Sequence, residues 1–280
     1  MDVKGLKVVV VGLARSGRGA AALLRRHGAE VTATDLKRAE DLGDAVAELT
    51  AMDVRVETGV HDPATFAGAQ LLVLSPGVSL DTPGVREALQ RGVPVLSELE
   101  LGYRFCRGRV AAVTGTNGKT TTVNLLAKMV ADAGVPGVLA GNVGLAFTTV
   151  AESLPPEGIA VLEVSSFQLE TIDEFHPAAA AVLNITPDHL DRYAGMQAYV
   201  EAKARIMRRQ IKSDLVVLNA LDRYTPLLAA QAPGRVVLFS SAGPVNGEGV
   251  WAQDGRLRYR LANAGEGELV GVSELLIDRK

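Results

Sequence analysis

The chain is predicted to be an α/β protein with two doubly wound, mostly parallel sheets in series. Short runs rich in valine and leucine alternate with segments of helical periodicity along residues 7–97, and again from residue 109 onward. Each alternating stretch opens with a strand, a glycine-containing turn and a helix, an arrangement typical of nucleotide-binding sheets. From residue 249 the pattern changes to short runs around Asp254-Gly255, which predicts a small antiparallel tail with a hairpin.

The alternation places each element. In the first stretch the expected strands are Lys7–Val11, Glu30–Thr34, Arg55–Glu57, Leu71–Leu74 and Pro94–Leu96, and the expected helices are Arg18–His27, Ala39–Ala51 and Pro83–Arg91. In the second stretch the expected strands are Val110–Val113, Val138–Ala140, Ile159–Glu163, Ala180–Asn184, Leu215–Leu218, Arg235–Phe239, Gly249–Gln253, Arg256–Leu261 and Glu268–Val272. A connecting helix is expected over Glu98–Gly108, and the boundary between two domains, 1–100 and 101–280, is expected to fall within it.

Composition narrows the classes of protein. With 280 residues, 48% hydrophobic and 22% charged, the chain has the make-up of a globular protein with two domains. The net charge of −3 gives no reason to expect nucleic acid as a partner. The single cysteine, Cys106, excludes an internal disulfide and fits a reducing compartment. The sequence has no signal-peptide core and no apolar run of membrane-spanning length, so we expect a cytoplasmic protein without a membrane partner.

The run from Thr114 to Thr121 carries the strongest chemical signal. Gly115 and Gly118 let the backbone curl so that its N–H groups point into a concavity, and Lys119 at the following helix start adds positive charge. Where the usual phosphate loop has its first glycine, this chain has Val113, so a glycine-rich turn with a solvated lysine is the alternative. The residues expected to bind nucleotide phosphates are Gly115, Thr116, Asn117, Gly118, Lys119, Thr120 and Thr121.

The turn from Gly12 to Gly17 is similar to a dinucleotide-binding fingerprint, and Asp35 follows at the end of the second strand. Ala14 stands where the middle glycine is expected, and its methyl crowds the path of a pyrophosphate. Two interpretations of Asp35 remain open, one as a ligand of ribose hydroxyls and one as the cap of a strand end.

Three more polar residues follow or flank the strands of the second stretch. Glu163 ends an apolar strand, where it suits magnesium, although a surface salt bridge is the alternative. His189 lies in a loop beyond the next strand and is either a metal or carboxylate partner or a structural residue. Lys203 lies on a predicted helix over Tyr199–Ile206, where a lysine is ordinarily solvated.

These segments together resemble the Mur ligases, over essentially the whole chain. The resemblance rests on Gly115–Thr121, Gly141–Gly144, Leu162–Glu170, Asn184–Arg192 and Glu201–Lys203. The shortened phosphate loop is the form that Mur ligases share with folylpolyglutamate synthases. The Ser-Ser-Phe-Gln-Leu-Glu segment points to the branch that adds D-glutamate.

The resemblance implies a Rossmann-like UDP-binding domain followed by a phosphate-loop domain that binds ATP. The implied reaction is ATP-dependent addition of D-glutamate to UDP-N-acetylmuramoyl-L-alanine through an acyl phosphate, in peptidoglycan precursor synthesis, by a monomer. The implied catalytic residues are Lys119, His189 and Lys203. The implied ligands of two magnesium ions are Thr120, Glu163, His189 and Lys203 as a carbamate. The implied substrate-binding residues are Arg15, Ser16, Asp35, Leu36, Lys37, Ser75, Asn142 and Ser165.

The chain departs from the family in one respect. Family members continue for roughly another domain that begins with a Gly-x-His-Asn segment, and this sequence stops at about that point. We therefore expect the C-terminal ligase domain to be absent, and the chain to bind its ligands without ligating them. Three alternatives to a part of a D-glutamate-adding ligase remain. The first is a chain whose role is only to bind UDP-sugar and ATP, the second is another amide ligase of the Mur or folylpolyglutamate type, and the third is an NAD(P)-linked oxidoreductase.

Overall fold

The computed structural model describes residues 1–275, and the chain divides into two compact units. The first unit contains residues 1–110 and 120–175, and the second contains residues 111–119 and the described residues from 176 onward. The sequence-predicted domain boundary near residue 100 remains a prediction. No helix in the described range is long and apolar enough to cross a membrane.

The elements follow the predicted alternation. The strands are β1 (Lys7–Val11), β2 (Glu30–Asp35), β3 (Arg55–Thr58), β4 (Leu71–Leu74), β5 (Val95–Ser97), β6 (Arg109–Thr114), β7 (Gly137–Gly141), β8 (Ile159–Glu163), β9 (Ala179–Val182), β10 (Leu215–Asn219), β11 (Arg235–Ser240), β12 (Gly249–Gln253), β13 (Arg256–Leu261) and β14 (Gly265–Gly271). The α-helices are α1 (Arg15–Arg26), α2 (Ala45–Ala51), α3 (Pro63–Ala67), α4 (Pro83–Gln90), α5 (Glu98–Phe105), α6 (Lys119–Asp132), α7 (Phe147–Val150), α8 (Ser166–Leu169), α9 (Met196–Ala204) and α10 (Thr225–Gln231). Short 3₁₀ turns lie at Ala39–Leu42, Ala151–Ser153, Arg205–Met207 and Val272–Glu274.

The first unit contains a parallel sheet with the strand order β3-β2-β1-β4-β5. Successive side chains of a strand point to opposite faces. Val8 and Val10 of β1 accordingly lie in one buried cluster with Leu23 of α1, whereas Val9 and Val11 lie in another with Phe66 of α3. The sheet is therefore covered on both faces, as the doubly wound prediction requires. The same unit pairs β7 with β8 in parallel.

The second unit contains a mixed sheet. Strands β6, β9, β10, β11 and β12 are parallel neighbours in this order. Strands β13 and β14 then continue the sheet in antiparallel orientation, which confirms the predicted antiparallel tail. Asp254 and Gly255 turn the β12–β13 hairpin at positive φ angles of 51° and 72°. The tail is thus an extension of the parallel sheet.

Helix α5, predicted as a connecting helix, carries two completely buried carboxylates. Glu98 accepts hydrogen bonds from the backbone N–H and the hydroxyl of Thr148, both at 2.7 Å, and burial raises its pKa. Glu100 accepts from the backbone N–H groups of residues 173, 174 and 175, and Arg104 pairs with it at 2.7 Å. The two side chains therefore tie α5 to the start of α7 and to the segment after α8.

Several element predictions differ from the observed bounds, and two of the differences have a clear local reason. The single helix expected over Ala39–Ala51 is a 3₁₀ turn followed by α2, because Gly43 between them takes a left-handed φ of 56°. The strand expected over Ala180–Asn184 ends at Val182, because Asn184 turns to bind the phosphate loop. The sequence analysis also missed the short helices α3, α7, α8 and α10.

Candidate functional site

The turn after β1 is shaped by two glycines that no other residue can replace without movement. A Cβ on Gly17 would lie 1.8 Å from the carbonyl oxygen of Gly12, and Gly12 itself has a left-handed φ of 88°. Between them Ala14 is the N-cap of α1 in extended conformation. The tight return brings the first turn of α1 close to the end of β1.

Asp35 at the end of β2 organises the loops around this turn. One of its carboxylate oxygens accepts the N–H of Leu13 at 2.7 Å, and the other accepts the N–H of Lys37 at 2.9 Å. The carboxylate therefore joins the turn after β1 to the turn after β2. These contacts are those of a strand-end cap, and binding of ribose hydroxyls by Asp35 is untested.

A cavity of about 790 Å³ opens beside these loops in the first unit. Its walls include most of the predicted substrate-binding residues, namely Arg15, Ser16, Asp35, Leu36, Lys37, Ser75 and Asn142. The size falls in the range of ligand-binding clefts. Leu36 is 63% exposed here, which gives the cavity an apolar wall next to the cationic Arg15 and Lys37. The structure thus groups these residues, and ligand binding by them remains a prediction.

Sequence analysis missed His61, which also lines this cavity. Its Nδ1 lies 2.9 Å from the hydroxyl of Thr34, and burial lowers its pKa. His61 follows β3 on the carboxyl side of that strand. The rule that ligands bind beyond the carboxyl ends of parallel strands is the signal that could have found it.

A chain of hydrogen bonds leads from the cavity to the start of α6 within the first unit. The guanidinium of Arg15 donates to the carbonyl oxygen of Asn142 at 2.9 Å. The side-chain amide of Asn142 donates to one carboxylate oxygen of Glu163 at 3.0 Å, and the hydroxyl of Thr120 donates to the other at 2.7 Å. Glu163 is only 2% exposed. A cavity residue, a buried carboxylate and the residue after Lys119 are therefore linked.

The predicted phosphate loop curls as expected in the second unit. Gly115 and Gly118 have positive φ angles of 150° and 83°. A Cβ on Gly115 would lie 3.1 Å from the Cβ of Leu183. The ammonium of Lys119 donates to the carbonyl oxygens of Gly115 and Thr116 at 3.0 and 2.8 Å, so it lies across the mouth of the curl.

The segment that leaves β9 holds this loop in place. Asn184 accepts the N–H of Asn117 on its Oδ1 at 2.8 Å and returns a bond from Nδ2 to the Asn117 carbonyl at 3.0 Å. The Asn184 carbonyl accepts the N–H of Thr116 at 2.9 Å. The N–H of Thr186 donates to the Thr116 hydroxyl at 3.0 Å. The phosphate loop is thus fixed by side chain and backbone of the neighbouring loop.

Lys203 on α9 is a buried lysine, contrary to the solvated position that its helix would ordinarily give it. Only 1% of the residue is exposed, and its ammonium donates to the Gly115 carbonyl at 3.0 Å and lies 4.6 Å from the centre of the Tyr199 ring. Burial, reinforced by the positive charge of Lys119, lowers the pKa of Lys203 to about 7. A neutral amine is therefore available near neutral pH.

The remaining predicted residues have other local roles. His189 is exposed, has a left-handed φ of 52°, and lies 3.5 Å from the Asp188 carboxylate. Ser165 is the N-cap of α8, where it forms a capping box with Gln168, and it does not line the cavity. Among the described residues, no three histidine, cysteine, aspartate or glutamate side chains are grouped as a metal site. Metal binding by Thr120, Glu163, His189 and Lys203 remains a prediction.

Two segments of the chain match domains of known proteins. Residues 6–97 match the Mur ligase MurD-like N-terminal domain, and residues 113–263 match the Mur ligase middle domain. The UDP-N-acetylmuramoylalanine–D-glutamate ligase of Acidobacterium capsulatum is 42% identical over 262 residues, covering 94% of this chain and 57% of that protein. The ligase of the same name from Anaeromyxobacter dehalogenans is 45% identical over 245 residues, covering 87% of this chain and 53% of that protein. The chain therefore spans little more than half the length of these relatives.

A solved structure supports the fold. The UDP-N-acetylmuramate:L-alanyl-gamma-D-glutamyl-meso-diaminopimelate ligase from Neisseria meningitides aligns with a TM-score of 0.57 at 21% identity, covering 94% of this chain and 86% of that chain. This likeness confirms the predicted α/β architecture. Because the match to the middle domain alone covers more than half of the sequence, the chain belongs to the Mur ligase family.

Proposed function

We propose that this chain forms the UDP-substrate and ATP sites of an enzyme that adds D-glutamate to UDP-N-acetylmuramoyl-L-alanine, in peptidoglycan precursor synthesis. The observation that carries the proposal is the hydrogen-bond chain from Arg15 through Asn142 and Glu163 to Thr120. It links a ligand-sized cavity to the residue that follows the phosphate-loop lysine. Two members of this chain, Thr120 and Glu163, are also the residues that we assign to magnesium.

The cavity suits a nucleoside diphosphate sugar. Arg15 and Lys37 supply cationic donors for a diphosphate, and the exposed Leu36 supplies an apolar surface for a base. Ala14 caps α1 where a dinucleotide site has glycine, so the turn lacks the full fingerprint of an NAD site. Asn142 extends from the cavity wall towards Glu163, so we assign it the muramoyl-alanine end of the substrate.

The phosphate loop suits ATP. Lys119 provides a full positive charge for the β- and γ-phosphates, and residues 115–121 provide backbone donors around them. The Thr120 hydroxyl and the Glu163 carboxylate, 2.7 Å apart, are oxygen ligands of the kind that magnesium prefers. Bound magnesium supplies positive charge against the phosphate oxygens.

The proposed reaction is acyl activation. The L-alanine carboxylate attacks the γ-phosphorus of ATP and releases ADP, which leaves an acyl phosphate. The D-glutamate amine then attacks the acyl carbon, inorganic phosphate leaves, and the amine loses a proton. Lys119 holds and neutralises the transferred phosphoryl group, which is a matter of positioning and electrostatics.

Lys203 and His189 are assigned to a second magnesium ion, with Lys203 as a carbamate. A neutral amine is the form that attacks CO₂, and burial lowers the Lys203 pKa to about 7. Incubation with ¹³C-bicarbonate should give one protein-bound carbamate signal by NMR, and this signal should be lost in Lys203→Ala. A signal that persists in the variant would assign the carbamate to another amine.

Similarity to relatives named for this reaction supports the same choice of substrates, at 42% identity over 94% of the chain. The proposal is tested by titrating the chain with magnesium-ATP, UDP-N-acetylmuramoyl-L-alanine and NADH in separate calorimetric experiments. We expect binding of the first two ligands and none of NADH. Binding of NADH with an affinity comparable to that of the UDP ligand would contradict the proposal, as would no binding of magnesium-ATP.

A further inference from the structure

The loop that follows β10 is organised by two polar side chains, Asn219 and Asp222. The side-chain amide of Asn219 donates to the carbonyl oxygen of Leu183 at 3.0 Å. Asp222 accepts the N–H of Ile185 at 2.6 Å and the N–H of Tyr224 at 2.8 Å. Both side chains therefore bind the backbone of the segment that leaves β9, on either side of Asn184.

Asn184 in turn holds the phosphate loop. It forms a reciprocal pair of hydrogen bonds with the backbone of Asn117, and its carbonyl accepts the N–H of Thr116. The N–H groups of a phosphate loop must point in fixed directions to bind phosphate oxygens. The direction of the Asn117 amide therefore depends on Asn184, and the position of Asn184 depends on the contacts made at Leu183 and Ile185.

We propose that Asp222 is a positioning residue for the phosphate loop, acting through Ile185 and Asn184. This inference rests on the proposed function, because it assumes that the loop binds a nucleotide. The carboxylate is well suited to the task. A hydrogen bond to a charged acceptor is roughly twice as strong as a neutral one, and at 2.6 Å the bond to Ile185 is short.

Asp214 provides a matched control at the opposite end of the same strand. It precedes β10, is largely buried, and also accepts a backbone N–H at 2.6 Å, from Ile211. The Asp214 carboxylate also pairs with the imidazole of His176, at 2.5 Å. Loss of Asp214 removes a carboxylate–backbone contact of the same kind and length, but at the amino end of β10.

The test compares Asp222→Ala, Asp222→Asn and Asp214→Ala by two measurements. Calorimetry gives the Kd for magnesium-ATP, with UDP-N-acetylmuramoyl-L-alanine as the second ligand. Amide hydrogen exchange gives the protection of residues 115–118 without any ligand. We expect Asp222→Ala to raise the Kd for magnesium-ATP about tenfold, to speed exchange in the loop, and to leave the affinity for the UDP ligand within about twofold. The Asn variant keeps one acceptor oxygen and should lose about threefold.

We expect Asp214→Ala to lower the Tm while leaving the ATP affinity and the loop exchange unchanged. Unchanged loop exchange and ATP affinity in a folded Asp222→Ala or Asp222→Asn variant would overturn the positioning role. Equal losses in Asp214→Ala would also overturn it, because the effect would then be general destabilisation. Failure of the unaltered chain to bind magnesium-ATP would instead contradict the proposed function, and the exchange measurement would still decide whether Asp222 fixes the loop.

Discussion

The glycine turns after β1 and after β6 have the same strand–turn–helix arrangement, but different side chains contact them. Both connect the first strand of an alternating stretch to a helix, and both contain glycines at positive φ, Gly12 in one and Gly115 and Gly118 in the other. In the first turn a neighbouring carboxylate, Asp35, accepts a backbone N–H. In the second turn an amide side chain, Asn184, pairs with the backbone.

The difference lies in what each turn presents. The turn after β1 forms one wall of a roomy cavity, and its charged groups come from other loops as well, including Lys37. Two ammonium groups contact the turn after β6. They belong to Lys119 and Lys203, and both donate to the Gly115 carbonyl. A glycine-rich turn therefore indicates that a backbone can approach a ligand, whereas the charges around it decide which ligand.

The largest expected loss of stability comes from adding a methyl group to one of the two turns. Gly17→Ala puts a Cβ 1.8 Å from the Gly12 carbonyl oxygen, so the backbone must move. We expect a loss of about 3 kcal/mol in the free energy of unfolding. Gly115→Ala meets its nearest atom at 3.1 Å and takes an unfavourable φ, and should lose about half as much.

Urea unfolding monitored by circular dichroism measures both losses. Gly77→Ala is the control, because nothing lies within 4 Å of a Cβ built there. If Gly115→Ala were the more destabilising variant, the turn after β1 would not be the more tightly packed of the two.

The lysines should separate the two turns by ligand. Lys119→Ala removes the charge that we assign to the nucleotide phosphates, and we expect at least about a 100-fold loss in magnesium-ATP affinity. Binding of the UDP ligand should stay within about twofold. Lys128 is the control, because it lies on the same helix and pairs with Asp132 at the surface. Unchanged ATP affinity in Lys119→Ala would contradict the phosphate-loop assignment.

Pattern alone predicted the strands well, because each is a short apolar run flanked by turn residues. Strands β1, β4, β8, β12 and β13 have the predicted bounds. The strand expected to run to Asn184 shows where pattern fails. The residues at its end could continue the strand by their pattern alone. Asn184 instead leaves the strand and bonds Asn117, which lies more than sixty residues earlier. A long-range contact of this kind leaves no periodic signal.

The site shows the same division. Seven cavity residues were expected from the resemblance and from positions beyond strand ends, and they do line one cavity. The burial of Lys203 was not expected from the pattern, because a lysine on a helix is ordinarily solvated and spacing alone does not distinguish this one. Its environment depends on Gly115, which lies in the turn after β6, and on Tyr199, which lies one turn earlier on α9. Burial, reinforced by the charge of Lys119, lowers its pKa.

The cavity beside the turn after β1 should prefer a UDP ligand. Lys37→Ala removes an exposed cation from its wall, and we expect about a tenfold loss in affinity for UDP-N-acetylmuramoyl-L-alanine with ATP affinity unchanged. Lys4, an exposed lysine outside the cavity, is the control. Ligand-induced shifts in Tm give the comparison. Equal shifts with NADH and with the UDP ligand would argue that the cavity is an ordinary dinucleotide site.

The last expected effect concerns the pH dependence of stability and the second ammonium near Gly115. In the unfolded chain Lys203 keeps its proton up to its ordinary pKa of 10.5, whereas the folded protein releases it near pH 7 because the side chain is buried. Between these values the unfolded state binds more protons, so the free energy of unfolding rises with pH. The slope stays below about 1.4 kcal/mol per pH unit.

Lys203→Met removes this contribution, and the difference in the free energy of unfolding between the two proteins should grow in favour of the lysine form from pH 6.5 to 8.5. Chemical denaturation in CO₂-free buffer at each pH measures it, since a carbamate would add its own charge. Parallel stability curves for the two proteins would mean that Lys203 keeps its proton in the folded state, and that the turn after β6 is crossed by two full charges at neutral pH.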